Sequence, residues 1–221
     1  MHINVAMTAD GKIDTFERRG AAISSQKDRE RVDRLRADAD AVMVGGHTLL
    51  DEDPRLTVRS ADLRAEREAR GLPPNPARVG VATRADLKPE ADFLNAAPAL
   101  IFLFTTTLTD SEQLERLRAR GARVFVHEAP RVDLAMALQT LKQHGLNRLM
   151  VEGGGTLNFE LLRLGLVDEL TAYVAPLVFG GETAPTLAAG EGLSREAAIP
   201  LQLVGVEAWE DGGVLIHYKT A

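Results

Sequence analysis

Apolar and polar positions along this chain alternate between two periods. Short β-rich runs at 2–7, 40–44, 78–83, 99–104, 122–126 and 149–151 are separated by amphipathic stretches. Those lie at 26–37, 60–71, 110–120, 134–144 and 157–164. Strand-like runs alternating with helical ones predict βα units and a parallel sheet. Local signals support the boundaries. Ser24 and Ser25 can cap the 26–37 helix, with Asp28 and Glu30 in its early turns. Gly121 stops the 110–120 helix. After Gly165 the pattern changes, with strands at 168–176, 201–207 and 214–219. The last two flank Asp211-Gly212-Gly213, a hairpin signal. The expectation is an α/β fold in one domain over 1–221. It has a mixed, mostly parallel sheet between two helical layers, closed by a C-terminal antiparallel hairpin. The only linker-like stretch is the proline-rich segment 72–76, which follows a highly charged, helix-prone stretch and reads as a surface excursion.

Two of the strands end in glycine. The run Leu149-Met150-Val151 is followed by Glu152, Gly153, Gly154, Gly155 and Thr156, then by helical spacing at Leu157, Leu161, Leu162 and Leu164. About a hundred residues earlier, the strand at 40–44 leads into Gly45, Gly46, His47 and Thr48. A strand–glycine–helix junction brings backbone N–H groups close to a ligand, and the helix dipole favours an anion there. Two such junctions suit a dinucleotide, which carries more than one phosphate group. A tight turn alone is the competing explanation for each, since neither spacing is GxGxxG or GxxxxGK[ST]. Glu152 adds a carboxylate at a strand's C-terminal end, where open α/β sheets bind ligands. A salt bridge or helix cap would be its structural alternative.

Composition narrows the classes. The 221 residues are 45% hydrophobic and 26% charged, as in an ordinary globular protein. No apolar run reaches the roughly 20 residues of a membrane span, and 1–14 lacks the layout of a signal peptide. The absence of cysteine excludes disulfides, zinc–thiolate sites and a thiol nucleophile, and fits the cytoplasm. With a net charge of −6 and no basic cluster interleaved with aromatics, nucleic acid is not an expected partner. A polyanionic small ligand would need local arginines. Arg59 is one candidate, because a guanidinium on an extended segment can clamp a phosphate in bidentate fashion. Arg36 lies at the edge of a helix's apolar face, where a solvated charge is the plain alternative. Asp51, Glu52 and Asp53 before Pro54 read as a solvated turn. His47 has no partner at metal-ligand spacing, so no metal is expected. Thr83 closes a strand and is a candidate cofactor contact, with Arg84 beside it for a ribose phosphate.

Taken together, ADGKID, the arginine of RLRADADAVMVGGHTLLDEDPRLTVR, and LMVEGGGTLNFELLRLGLVDELTAYVAPLVFGGETAPT resemble the pyrimidine reductases of riboflavin biosynthesis. That family includes stand-alone archaeal-type enzymes and the reductase half of a bifunctional deaminase–reductase. The resemblance covers most of the chain and is weakest at 60–77 and 107–145. It implies a dihydrofolate reductase-like fold, NADPH as cofactor and a homodimer. The substrate would be a phosphorylated ribosylaminopyrimidine whose ribose is reduced to a ribityl chain. It places Thr48, Glu52, Thr83, Gly154, Gly155, Thr156 and Leu157 along the cofactor, and Gly45, Gly46 and Gly153 join them as cofactor candidates from the glycine junctions themselves. It turns Arg36, Leu56, Arg59 and Glu152 to the substrate. Position 52 is usually aspartate in the family and is glutamate here. The zinc-deaminase signature is absent, so only the reductase activity is implied. An iminium-like carbon at the ribose would suit a nearby carboxylate, which makes Glu152 the first catalytic candidate, with Asp10 and Lys12 behind it. The whole scheme expects the turns at 45–48 and 153–156 to seat one dinucleotide. The residues leave open the 2-amino or deaminated pyrimidine, NADPH or NADH, and the proton donor. A different dihydrofolate reductase-like reductase, or a non-catalytic nucleotide-binding module, are the alternatives.

Overall fold

The computed structural model describes residues 1–220. Strands and helices alternate as the sequence pattern predicts, in two compact units. One is continuous, Asp33–Met150. The other is split, joining Met1–Val32 to the chain from Val151 onward.

The continuous unit holds β2 (Ala41–Gly45), β3 (Ala77–Val81), β4 (Ile101–Thr106) and β5 (Arg123–His127). They pair in parallel, β2 with β3, β3 with β4 and β4 with β5. Every residue of β2, β3 and β4 is buried, as in a parallel sheet covered on both faces. Helices α2 (Ala61–Ala69), α4 (Ser111–Ala119) and α5 (Leu134–Gln143) begin at Ser60, Asp110 and Asp133. The side chain of each accepts a first-turn N–H, a cap worth about 1 kcal/mol. Gly121 takes φ +85°, and it ends α4 as predicted.

The charged helix near residue 65 is anchored in the core. Leu63 packs with Ala37 and Val58, and Arg67 is buried. The Arg67 guanidinium donates to the carbonyls of Ala37, Ala39 and Pro73 at 2.7–2.8 Å. Those first two carbonyls close α1 (Gln26–Asp38), so Arg67 caps one helix from another. A second buried arginine, Arg78, donates to the carbonyls of Asp92, Phe93 and Ala97. Burial pulls both guanidinium groups below their ordinary value. A short helix not foreseen from the pattern, α3 (Asp92–Asn95), lies at that point.

In the split unit β1 (His2–Thr8) pairs in parallel with β7 (Glu169–Ala175). β7 then pairs antiparallel with β9 (Val214–Thr220), and β9 with β8 (Leu201–Ala208). The antiparallel ending is therefore as expected. Ile23, Tyr173, Ala175 and Trp209 form a small core there. Lys27 sits over the Trp209 ring at 4.4 Å. Strand β6 (Leu149–Val151) leads into α6 (Gly155–Arg163). Nine strands are thus present among the described residues, paired mostly in parallel. Among the described residues, no helix is long and apolar enough to cross a membrane.

Candidate functional site

In the continuous unit, β2 passes into helix without a loop. Gly46 and His47 are already helical, and Thr48–Glu52 form one turn of π-helix. The predicted glycine–hydroxyl turn is thus a wide helical turn, a rare geometry that recurs at functional sites. Gly46 fits closely here: an added Cβ would stand 3.3 Å from Cβ of Ala82, at the end of the neighbouring β3. Thr48 is buried, and its hydroxyl donates to Glu52 at 3.1 Å. The acidic run is not one solvated turn. Asp51 pairs with His47 at 2.7 Å, Glu52 holds Thr48, and Asp53 accepts the N–H groups of Asp92 and Phe93 at 2.7 and 2.9 Å. Asp53 and Leu56 both take left-handed φ, +47° and +48°. A buried leucine in that region is costly, by about 1–2 kcal/mol. It persists because the chain immediately after it is over-determined.

Residues 57–60 are fastened from three sides. Arg36 donates to the Thr57 carbonyl at 3.0 Å, and Asn75 accepts the Val58 N–H at 3.0 Å. Asp33 accepts both the Arg59 and Ser60 N–H groups, at 2.6 and 2.8 Å. So the backbone of 57–60 is held rigid, while the Arg59 side chain is exposed and makes no hydrogen bond among the described residues. Arg36 is half-buried rather than simply solvated, and it brings Arg36, Leu56 and Arg59 into one group. Asp33 and Asn75 carried no sequence signal on their own. One clue existed: Asp33 stands four residues before the buried Ala37, an acidic residue on the inward face of a helix.

Thr83 follows β3 beside Gly46. Its side chain is exposed and its carbonyl accepts hydroxyls from Thr105 and Thr106 at 3.2 and 2.8 Å. Arg84, paired with Asp86 at 3.2 Å, borders an open depression of about 620 Å³, lined also by Thr107, Leu108, Asp110 and Ser111.

The split unit carries Glu152 and the triple glycine. Gly153 takes φ +101°, and an added Cβ there would meet nothing within 4 Å. Gly154 is the N-cap of α6 and supplies no side-chain cap, unlike the caps of α2, α4 and α5. The first N–H groups of α6 therefore stand without a capping side chain, beside exposed Thr156. Gly155 has another role. Its Cβ would lie 2.3 Å from the Thr186 carbonyl oxygen, and its own carbonyl accepts the Ala189 N–H at 3.0 Å. Buried Asn158 adds a bond to the Leu187 carbonyl at 2.9 Å. Leu157 faces inward and is buried.

Asp10 and Lys12 meet the same glycine-bearing segment that comes after β7. Asp10 accepts the Thr8 hydroxyl at 2.5 Å and the N–H groups of Phe179 and Gly180 at 3.2 and 2.7 Å. The Thr8 hydroxyl first, then those N–H groups, hold its carboxyl below its ordinary value. Lys12 pairs its backbone with Thr186 and reaches the Ala184 carbonyl at 3.3 Å. Among the described residues, no group of three or more His, Asp or Glu is placed to hold a metal ion.

A mostly parallel α/β sheet whose strands end in glycine junctions, with a helix start left uncapped, is the kind of frame on which anionic ligands can be held. The family of the RibD C-terminal domain matches residues 1–215, and the chain belongs to that family. Among curated relatives, a 2,5-diamino-6-ribosylamino-4(3H)-pyrimidinone 5′-phosphate reductase of Archaeoglobus fulgidus is 41% identical, over 89% of this chain and 89% of its own. A protein of the same name from Methanothermobacter thermautotrophicus is 43% identical, over 91% and 89%. Among solved structures, a pyrimidine reductase-like protein of Corynebacterium diphtheriae shares the fold with a TM-score of 0.80 at 22% identity, covering all of this chain and 91% of that one.

Proposed function

We propose that this chain is a cytoplasmic, homodimeric, NADPH-dependent reductase, built as one domain. Its substrate would be 2,5-diamino-6-ribosylamino-4(3H)-pyrimidinone 5′-phosphate, whose ribosyl group becomes ribityl. The archaeal relatives are reductases of that compound by name. The observation that carries the reading here is the clamped 57–60 segment, which presents an exposed Arg59 guanidinium on a fixed backbone. A phosphate ester is the ligand that a guanidinium carried on a fixed backbone suits.

The residues fit a dinucleotide. Gly153 leaves open room at a left-handed position, and the uncapped start of α6 offers N–H groups to a phosphate. In the split unit Gly153, Gly154, Gly155, Thr156 and Leu157 are the proposed cofactor residues; in the continuous unit they are Gly45, Gly46, Thr48, Glu52 and Thr83. Arg84 would meet the phosphate that separates NADPH from NADH. When bound, NADPH supplies the hydride. The chain's own part is binding and charge. Arg59 grips the 5′-phosphate. Arg36 braces the Thr57 carbonyl and faces the substrate, and Leu56 closes the wall beside them. Glu152 orients the sugar and stabilises positive charge developing at its first carbon. Asp10 keeps the Phe179–Gly180 segment in place.

The test is NADPH oxidation with the 2-amino and the deaminated pyrimidine phosphates, with NADH as control. Arg59→Ala should raise KM for the pyrimidine phosphate about 30-fold, the value of a charge-assisted hydrogen bond, and leave KM for NADPH nearly unchanged. Equal effects on both would contradict the assignment of Arg59.

A further inference from the structure

Most exposed cations around α2 are paired. Arg34 meets Glu66, Arg55 meets Asp92 and Arg70 meets Asp38. Two guanidinium groups in the same neighbourhood, those of Arg59 and Arg64, have no carboxylate within ion-pair distance among the described residues. Arg59 lies on the clamped 57–60 segment. Arg64 stands on the first turn of α2, where its N–H donates to the Ser60 carbonyl at 3.2 Å.

The Arg64 side chain is half-buried and folds back over that segment. Its Nη1 donates to the Val58 carbonyl at 2.9 Å and to the Arg59 carbonyl at 2.6 Å. These bonds use both N–H groups of Nη1. The Nε and Nη2 groups make no hydrogen bond among the described residues. That edge of the guanidinium is the planar fork that meets a phosphate with two parallel bonds. The Arg59 carbonyl is bonded to the same Cα that carries the Arg59 side chain, so the two cations share one small patch. Asp33 accepts the N–H groups of Arg59 and Ser60, which fixes the backbone between them.

Charge then selects the ligand. Two unpaired cations on a fixed backbone repel each other, and an anion between them relieves that repulsion. A phosphate monoester carries a charge of about −1.5 to −2 near neutral pH, more than one arginine neutralises. A carboxylate or a phosphodiester carries a single charge and would leave the second arginine unmatched.

We propose that Arg64 is the second arm of a phosphate clamp: Arg59 and Arg64 together grip the 5′-phosphate of the pyrimidine substrate. Arg64 lies in the 60–77 stretch, outside the residues that carry the family resemblance, so the motif does not nominate it. The assignment rests on the phosphate reading of Arg59 above and adds a residue to it.

The test compares kcat/KM for the pyrimidine phosphate with that for its dephosphorylated form, and circular dichroism checks the folding of each variant. The wild type should prefer the phosphorylated form. Arg64→Gln should cut that preference about tenfold, the value of one charge-assisted hydrogen bond. Arg64→Lys keeps the charge and loses the fork, so it should cut the preference only about threefold. A residue that merely braces the Val58 and Arg59 carbonyls would cost both substrates alike, and an equal loss with both forms would overturn the proposal. Arg59→Ala separates the two levels of the argument. If it leaves the preference intact, the phosphate reading of Arg59 itself fails. If it lowers the preference and neither Arg64 variant does, only the assignment of Arg64 fails.

Discussion

The two strand–glycine–helix junctions look alike in sequence and are built for different reasons. After β2, Gly46 is small because β3 passes close by, with Ala82 3.3 Å from where a Cβ would stand. The next residues tighten nothing. They widen into a π-turn held by Thr48 and Glu52. After β6, three glycines divide the work. Gly153 supplies a left-handed backbone in open space, Gly154 leaves the helix start uncapped, and Gly155 admits the Thr186 carbonyl. A glycine in a motif can thus mean conformation, contact or access to a ligand, and only one of the three points to chemistry.

Substitutions can separate these roles. Gly155→Ala should have the largest effect. Its methyl would collide with a backbone oxygen that cannot rotate away, so urea unfolding should show a loss of about 3 kcal/mol, at the upper end for overpacking. A loss under about 1 kcal/mol would show that the 186–189 segment yields.

A second contrast concerns buried charge. The continuous unit keeps Arg67 and Arg78 charged by surrounding them with carbonyls. The split unit instead keeps His2 neutral. Burial lowers its pKa from 6.5 to about 4, opposed in part by Glu169, while its Nε2 meets the Thr171 hydroxyl at 2.8 Å. The unfolded chain takes up this proton below pH 6.5, and the folded chain only near pH 4. Stability should therefore be full above pH 6.5 and fall between 6.5 and 4, by about 2 kcal/mol after allowing for partial exposure. His2→Gln should flatten that part of the pH–stability curve. An unchanged slope would move its origin to other groups.

Gly153→Ala meets no clash, only the cost of a left-handed alanine, about 1 kcal/mol. Its sharper readout is functional. If the α6 start binds a dinucleotide, KM for NADPH should rise several-fold while KM for the pyrimidine phosphate holds. The smallest effect belongs to Gly46→Ala, where Ala82 must give by a few tenths of an ångström. Calorimetry should show a loss of about 0.5 kcal/mol. A loss comparable with that of Gly155→Ala would erase the difference between the two junctions.

Much of the architecture was legible in the residues. The continuous apolar runs of β2 and β4 marked buried parallel strands, and Asp211-Gly212-Gly213 marked the closing hairpin. Local propensity and patterning suffice for such features, because strand, helix and turn each leave a periodic or conformational trace. The π-turn at 48–52 and the short α3 left none. Their residues form them only because Asp53 and the neighbouring chain hold them there. Similarly, the sequence marked α2 only as a charged helix, and only packing revealed Arg67 as a cap for α1.

The chain alone determined its fold class, its family resemblance and the identity of the residues that could touch a cofactor or a phosphate. Tertiary structure decided what each of them does. Asp33, Asn75 and Asn158 bond to backbone groups of residues 17 to 29 positions away, and Asp10 to one 170 positions away. Periodicity carries information over a few residues, whereas a buried hydrogen bond is set by whichever backbone group the fold brings near. That is why the sequence could nominate Arg59, and only the folded chain could show its backbone clamped in place.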